Sequence, residues 1–395
     1  MSQPSTATPP AAQPLLFTPL PLRGVTLPNR VAISPMCTYS GIDGMATDWH
    51  FANYARYAIG GAGLVMVEAT TVHERGRITY GDLGLWQDAQ IEPHRRIASF
   101  LKQNGSVPAV QLAHAGRKAA SQRPWHGNGA LNETDRQLRG EVGWPTLAPS
   151  PIPVTSAWPA PSQVTMADLD EMREAWRVAA LRALEAGYEI IEMHSAHGYS
   201  LHQYLSPISN KRNDAYGGDR AGCMRFPLEV AEAIRGVWPK DKPMFVRISC
   251  VDGVEGGWDL DDSVVYAREL KARGVDVIDC SSGGLAGSAT AAPVPRGPGF
   301  QVAFSDRIRR EAEVATMAVG MIQDGPQAES ILQKGQADII AIGREALIDP
   351  NWAVHAELAL GKDALAAYGS ASWPEQYRWW LQSRERQLRA HRKGS

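Results

Sequence analysis

Two histidines three residues apart, His194 and His197, and a tyrosine two further on, Tyr199, follow a short apolar run over residues 190–193. Two imidazoles and a phenol gathered at one strand end make a compact set of proton donors. Such a set suits a substrate carbonyl that must be polarised and then protonated. The same spacing has plainer readings. H-x-x-H is half of a metal site, but zinc needs a further ligand and commonly an outer hydrogen-bond partner. The chain holds neither H-E-x-x-H nor C-x-x-C. The pair could equally be hydrogen-bonded histidines of structure, and the motif alone leaves these readings open.

The elements around the cluster weigh on that choice. Apolar, β-branched runs at residues 31–36, 64–67, 109–112, 190–193, 244–248, 275–279, 317–321 and 339–342 alternate with stretches of helical period, clearest at 166–185, 226–237, 262–273 and 327–334. The 166–185 stretch opens on a capping signal at Thr165 and places Leu169, Met172, Trp176, Ala179, Ala180 and Ala183 on one face. Alternating strand and helix implies an α/β fold with a parallel sheet, and eight units predict a (β/α)8 TIM barrel. A doubly wound sheet is the runner-up, weakened by the absence of a G-x-G-x-x-G turn and a Walker loop. Residues 16–30 read as an N-terminal hairpin plugging one end. The barrel is expected over residues 15–365, with a Trp- and Pro-rich lid insertion at 115–161 after the third strand. A C-terminal helical tail follows at 366–395, and residues 1–14 read as a disordered tail without signal-peptide features.

Composition narrows the function classes. A formal net charge of −2 over 395 residues gives no electrostatic case for nucleic acid or an anionic membrane. No apolar run is long enough to span a bilayer. Cys37, Cys223, Cys250 and Cys280 show no framework spacing, which fits a reducing, cytoplasmic setting.

Chemistry in a barrel of this kind sits at the C-terminal ends of the strands. The first run ends P-M-C-T-Y, the second E-A-T, the third Q-L-A-H-A-G-R-K with Gln111 and Lys118, and the fourth in the two histidines. The fifth carries Arg247, the sixth ends C-S-S-G-G, the seventh reaches Gly320, and the eighth ends in Gly343 and Arg344. Glycines after the last two strands let backbone N–H groups approach a phosphate, and Arg344 adds charge-assisted bonds. An arginine inside a barrel strand is costly to bury unless an anionic or polar group meets it, as a flavin pyrimidine edge would.

In this order the strand ends S-P-M-C-T-Y-S, V-E-A-T, Q-L-A-H-A-G-R-K, H-S-A-H-G-Y, V-R-I-S, A-V-G-M-I and I-G-R-E, with S-P-I-S-N-K-R-N-D-A-Y-G-G after the fourth, resemble the Old Yellow Enzyme family of flavin-dependent ene-reductases. The resemblance is nearest to its thermophilic-like, xenobiotic-reductase branch. It implies tightly bound FMN at the strand ends, NADPH or NADH as reductant, an activated alkene as substrate, no metal, and a homodimer or homotetramer. By the same resemblance Ser34, Pro35, Met36 and Cys37 lie along the flavin, Ala69 packs on its ring, and Gln111 and Arg247 meet its polar edge. Gly320, Gly343 and Arg344 hold its phosphate. His194 and His197 grip the substrate carbonyl with Tyr39, Tyr199 is the proton donor, and Trp379 or Trp380 borders a partner subunit's substrate pocket. One departure stands out: where the family has Glu-Asn-Arg after Y-G-G, this chain has Ala221, Gly222 and Cys223, which predicts a looser loop there. Two other readings remain: a flavin-free barrel isomerase or lyase acting on a phosphorylated small molecule, and a non-catalytic binding barrel.

Overall fold

Each apolar run becomes a strand, and the strands close on themselves. The computed structural model describes residues 13–285, 294–370 and 372–394. The strands are β1 (Val31–Ile33), β2 (Leu64–Thr71), β3 (Val107–Ala113), β4 (Ile190–Ser195), β5 (Met244–Ser249), β6 (Val277–Ser281), β7 (Ala315–Ala318) and β8 (Ile339–Ile342). Every neighbouring pair is parallel, and β8 pairs back onto β1 to close the eight-stranded barrel. Helices α1 (Asp48–Ile59), α2 (Ile91–Gln103), α3 (Met166–Glu185), α4 (Arg220–Val237), α5 (Leu260–Ala272), α6 (Val302–Ala312) and α7 (Gly325–Gln333) cross over between successive strands. Helix α3 buries the six residues its period assigns to one face. Its N-terminus is closed reciprocally, the Asp168 N–H donating to Thr165 Oγ1 at 3.2 Å and the Thr165 N–H to Asp168 Oδ2 at 2.9 Å.

Period-two alternation sets what fills the barrel. Ala32, Leu64, Met66, Ala109, Ile190, Phe245, Val277, Met317, Ile339 and Ala341 form one inner apolar cluster, stoppered by Leu22 and Leu27. Those two leucines come from the expected hairpin, Leu20–Leu22 paired antiparallel with Val25–Leu27. Two residues further along each strand, the same inward parity brings Gln111, Glu192, Arg247 and Asp279. One step further come His194, Ser249 and Ser281. The chemistry therefore sits on top of an apolar floor.

Two expected strands run shorter than their apolar stretch. After Ile33 the Ser34 N–H still donates to Ile342 O at 3.0 Å, but Pro35 has no N–H to continue the ladder. Strand β7 stops at Ala318, because Gly320 (φ 124°) and Met321 (φ 51°) turn the chain away. The insertion after β3 is ordered where it is described. It carries the helix Glu133–Arg139, and Trp144 Nε1 donates to Arg75 O at 2.9 Å. The tail expected over residues 1–14 lies outside the described residues as far as residue 12. The C-terminal segment forms one continuous helix, Glu375–Gly394, joining the aromatic stretch to the basic end. No helix among the described residues is long and apolar enough to cross a membrane.

The loop entering α4 is tied down despite its unusual sequence. The Gly222 N–H donates to Asp219 Oδ1 at 2.8 Å, and Arg225 Nε donates to Ala215 O at 2.8 Å. A Cβ at position 222 would lie 2.2 Å from Gly217 O, so glycine is what lets the loop close.

Candidate active site

The turn after β4 brings His194, His197 and Tyr199 together. The ring of His194 stands edge-on to those of His197 and Tyr199, each at 5.1 Å between centroids. The Ala196 N–H donates to His194 Nδ1 at 3.2 Å, which places that ring's proton on Nε2, 3.4 Å from His197 Nδ1. His197 Nε2 lies 2.7 Å from Ser281 Oγ. Both imidazoles are held well below the ordinary histidine range, first by burial and then by the Arg247 cation. They are neutral donors at pH 7. Burial, and then the nearby Cys37, raise the Tyr199 phenol, so it keeps its proton.

Facing them is the irregular segment after β1. Cys37 and Tyr39 pack with Tyr199 and Trp144 against Ile78, Ala115 and Ala119. Burial, and then Glu68 and Asp82, push the Cys37 thiol up, so it is no thiolate nucleophile. Between Cys37 and Tyr39 sits Thr38, whose N–H and hydroxyl donate to Glu68 at 2.8 and 2.9 Å. Tyr54 OH donates to the same carboxylate at 2.7 Å. Glu68, on β2 beside Ala69, thus fixes the segment that carries both side chains.

Below the histidines lies the polar inner layer. Gln111 Nε2 donates to Glu192 Oε1 at 2.8 Å, and Arg247 Nε is 3.2 Å from Asp279 Oδ2. The arginine therefore already meets a carboxylate of its own chain, which weakens the sequence argument that it needs an outside anion. Burial, and then the Asp279 charge, raise the Glu192 carboxyl well above the usual carboxylate range. Gly343 packs beside Met36 and Ser34, a Cβ there lying 3.7 Å from Met36 Sδ and 4.0 Å from Ser34 Cβ. Gly320 approaches Phe300 and Gln301 closely. Arg344 is exposed and makes no ion pair among the described residues. Lys118 is buried, and Nζ donates to His197 O at 2.9 Å and to Gly284 O.

Two residues are expected at a partner subunit's pocket rather than at this cluster. Trp379 and Trp380 are 65% and 68% exposed on the terminal helix, their rings 4.5 Å apart. Conversely, Ser281, Glu68, Glu192 and Asp279 belong to the site and were not singled out from sequence. The inward parity of β4 and β6 was the signal that could have found Glu192, Asp279 and Ser281. Among the described residues no group of three His, Cys, Asp or Glu converges where it could hold a metal ion.

A closed parallel barrel with neutral imidazoles and a phenol at its strand ends, above a buried guanidinium, is the arrangement of a barrel enzyme. The chain belongs to the NADH:flavin oxidoreductase / NADH oxidase family, the Old Yellow Enzyme family, which residues 15–363 match. It is 43% identical to an NADPH dehydrogenase of Geobacillus sp. (strain WCH70) over 349 residues, 88% of this chain and 95% of the relative. It is likewise 43% identical to an NADPH dehydrogenase of Bacillus subtilis (strain 168) over 340 residues, 86% and 93% of the two chains. A morphinone reductase variant in complex with tetrahydroNAD superposes with a TM-score of 0.72 at 25% identity, covering 89% of this chain and 92% of that one. An old yellow enzyme homologue from Zymomonas mobilis shares the fold, with a TM-score of 0.70 at 21% identity over 92% and 99% of the two chains. Membership makes this chain an oxidoreductase with FMN as cofactor and a nicotinamide nucleotide as reductant.

Orphaned polar atoms test the fit of that cofactor. Ser34 Oγ, Glu192 Oε2 and Asp279 Oδ1 are buried without a hydrogen-bond partner, and Arg247 Nε and Asp279 Oδ2 meet each other as an ion pair without a well-aligned hydrogen bond. Buried groups of this kind are normally satisfied. They lie just after β1 and within β4, β5 and β6, in the layer below the histidines, and a flavin's amide-like edge carries both donors and acceptors. The residues present fit the group.

Proposed function

We propose that this protein is an NAD(P)H-dependent ene-reductase acting on activated C=C bonds of α,β-unsaturated carbonyl or nitro compounds. The observation carrying this reading is a pair of neutral histidines, His194 buried and His197 half-buried, with the His194 ring edge-on to a phenol that keeps its proton. Bound FMN supplies hydride to the β-carbon. Ser34, Pro35, Met36, Cys37 and Ala69 line it, Gln111 and Arg247 hold its polar edge, and Gly320, Gly343 and Arg344 hold its phosphate. His194 and His197 donate to the substrate oxygen as negative charge develops there, with Tyr39 beside them, and Tyr199 delivers a proton to the α-carbon. Membership of a flavin family sets aside a flavin-free isomerase or lyase. The test is a yellow preparation that NADPH bleaches anaerobically and that cyclohexenone restores. A preparation that NADPH bleaches and no enone or nitroalkene restores would sink the ene-reductase reading.

The same reading gives the exposed tryptophans of the terminal helix a second copy of this chain as their partner, with Trp379 or Trp380 bordering its substrate pocket. Aromatic residues beside arginine make effective interface anchors. A chain cut after Ser372 is expected to sediment as a smaller particle and to lose KM selectivity for bulky enones. An unchanged particle with unchanged selectivity would leave the helix docked on its own barrel.

A further inference from the structure

The turn that carries His197 and Tyr199 has an unusual backbone. His197 (φ 58°) and Gly198 (φ 71°) are consecutive left-handed residues, and His197 bears a Cβ that disfavours this conformation. Glycine is required next to it, since a Cβ at 198 would lie 2.2 Å from Gly284 O. All four backbone polar groups of these two residues are taken by buried side chains. The His197 N–H donates to Ser249 Oγ at 2.8 Å, and His197 O accepts from Lys118 Nζ at 2.9 Å. Gly198 O accepts from Gln203 Nε2 at 2.7 Å, and the Gly198 N–H donates to His202 Nδ1 at 2.8 Å.

The last of these contacts differs from the rest. A hydroxyl, an ammonium or an amide can rotate to suit the backbone, but an imidazole nitrogen accepts only when it carries no proton. Nδ1 of His202 must therefore be bare, with the ring proton on Nε2. There Asp252 Oδ1 lies 2.8 Å away, at an angle short of a linear hydrogen bond. The other Asp252 oxygen accepts from Ser206 Oγ at 2.6 Å and from the Trp258 N–H at 2.7 Å, so the carboxylate is itself fixed. His202 and Asp252 are both fully buried.

Resting on the ene-reductase reading, we propose that His202, with its tautomer set by Asp252, is the positioning residue of the turn bearing His197 and Tyr199. Asp252, in the loop after β5, orients the ring. The ring accepts the Gly198 N–H, and that bond holds the two left-handed residues in place. Tyr199 follows Gly198 directly, so loss of the acceptor shifts the acid and the carbonyl donor together. A misplacement of about 1 Å in such groups costs on the order of 10²-fold in rate.

Two substitutions separate this role from simple core filling. His202→Asn keeps an amide oxygen near the Nδ1 position but withdraws from Asp252. His202→Gln keeps a donor toward Asp252 but gives up the acceptor at Gly198. On FMN-loaded enzyme, His202→Gln is expected to slow colour recovery with cyclohexenone on the order of 10²-fold and to weaken spectral titration by 4-chlorophenol about tenfold. Flavin content should be retained, and His202→Asn should recover most of the loss. The reverse order, with Gln active and Asn impaired in step with its melting temperature, would make the pair structural and overturn the proposal. Should His202→Gln not fold, Asp252→Asn is the substitute, expected to slow the same step about tenfold by freeing the tautomer; an unchanged rate overturns the proposal equally. If the wild type reduces no alkene, the ene-reductase reading fails, and the 4-chlorophenol titration still reports on the turn by itself.

Discussion

Tyr199→Phe is expected to slow the recovery of colour by an enone roughly 10²- to 10⁴-fold, the usual worth of a positioned general acid. The rate at which NADPH bleaches the enzyme should stay within a few-fold of wild type. The two half-reactions share one recess, but only alkene reduction needs a proton at carbon. Burial keeps the Tyr199 phenol protonated through and beyond the neutral range, so the acid is available at any working pH. The residue is also fixed at both backbone ends: its N–H donates to Ala196 O at 3.1 Å, and its carbonyl accepts the Gln203 N–H at 2.9 Å. Phenylalanine preserves the ring against His194 and removes only the hydroxyl. Stopped-flow traces in which both half-reactions slow equally would assign Tyr199 to packing, and traces in which neither slows would remove it from the mechanism.

The division between what could be read from sequence and what could not follows the physics of each residue. Strand positions were legible because eight apolar runs bounded by glycine and polar residues have few other uses, and α3 because its period and its cap agree. The histidines and Tyr199 stood out because their types are rare at a strand end. Glu192 and Asp279 hid inside apolar runs, where a carboxylate reads as a break in the pattern; only the closed barrel turns them inward together. Ser281 is a common residue whose meaning comes from His197, 84 positions away in sequence. Glu68 acts through Thr38, 30 positions earlier, and no local pattern announces that contact. Arg247 stands out in the sequence because burying a cation is costly, yet part of what meets it is a carboxylate in the next strand. Likewise, the Ala221-Gly222-Cys223 change reads as lost side-chain bonds in the sequence, whereas only the structure shows that Gly222 lets the backbone approach Gly217 O.

His194 and His197 look equivalent in the sequence, but their surroundings predict unequal effects. His194 Nδ1 is occupied by a backbone N–H, so its single ring proton is on Nε2, and its nearest acceptor, His197 Nδ1, stands at a long 3.4 Å. That donor is weakly used and free to turn to a substrate oxygen. His197 Nε2 is already engaged with Ser281 Oγ at 2.7 Å, so a substrate must compete with the serine for it. His194→Ala is therefore expected to cost 10²- to 10³-fold, roughly the value of one preorganised oxyanion donor, in alkene reduction. It should weaken phenol binding in parallel, because a phenolate oxygen resembles the charge that develops on the substrate. His197→Ala should cost less on both measures. Neutrality sharpens the expectation: burial and the Arg247 cation keep both rings unprotonated, so each contributes one hydrogen bond and no net charge. The loss in His194→Ala should then be nearly independent of pH between about 6 and 8, where an unperturbed histidine would titrate. Equal losses in the two variants would mean that substrate displaces Ser281 at no cost. A loss in His194→Ala that vanished above pH 7 would mean that an imidazolium, and not a neutral donor, faces the substrate.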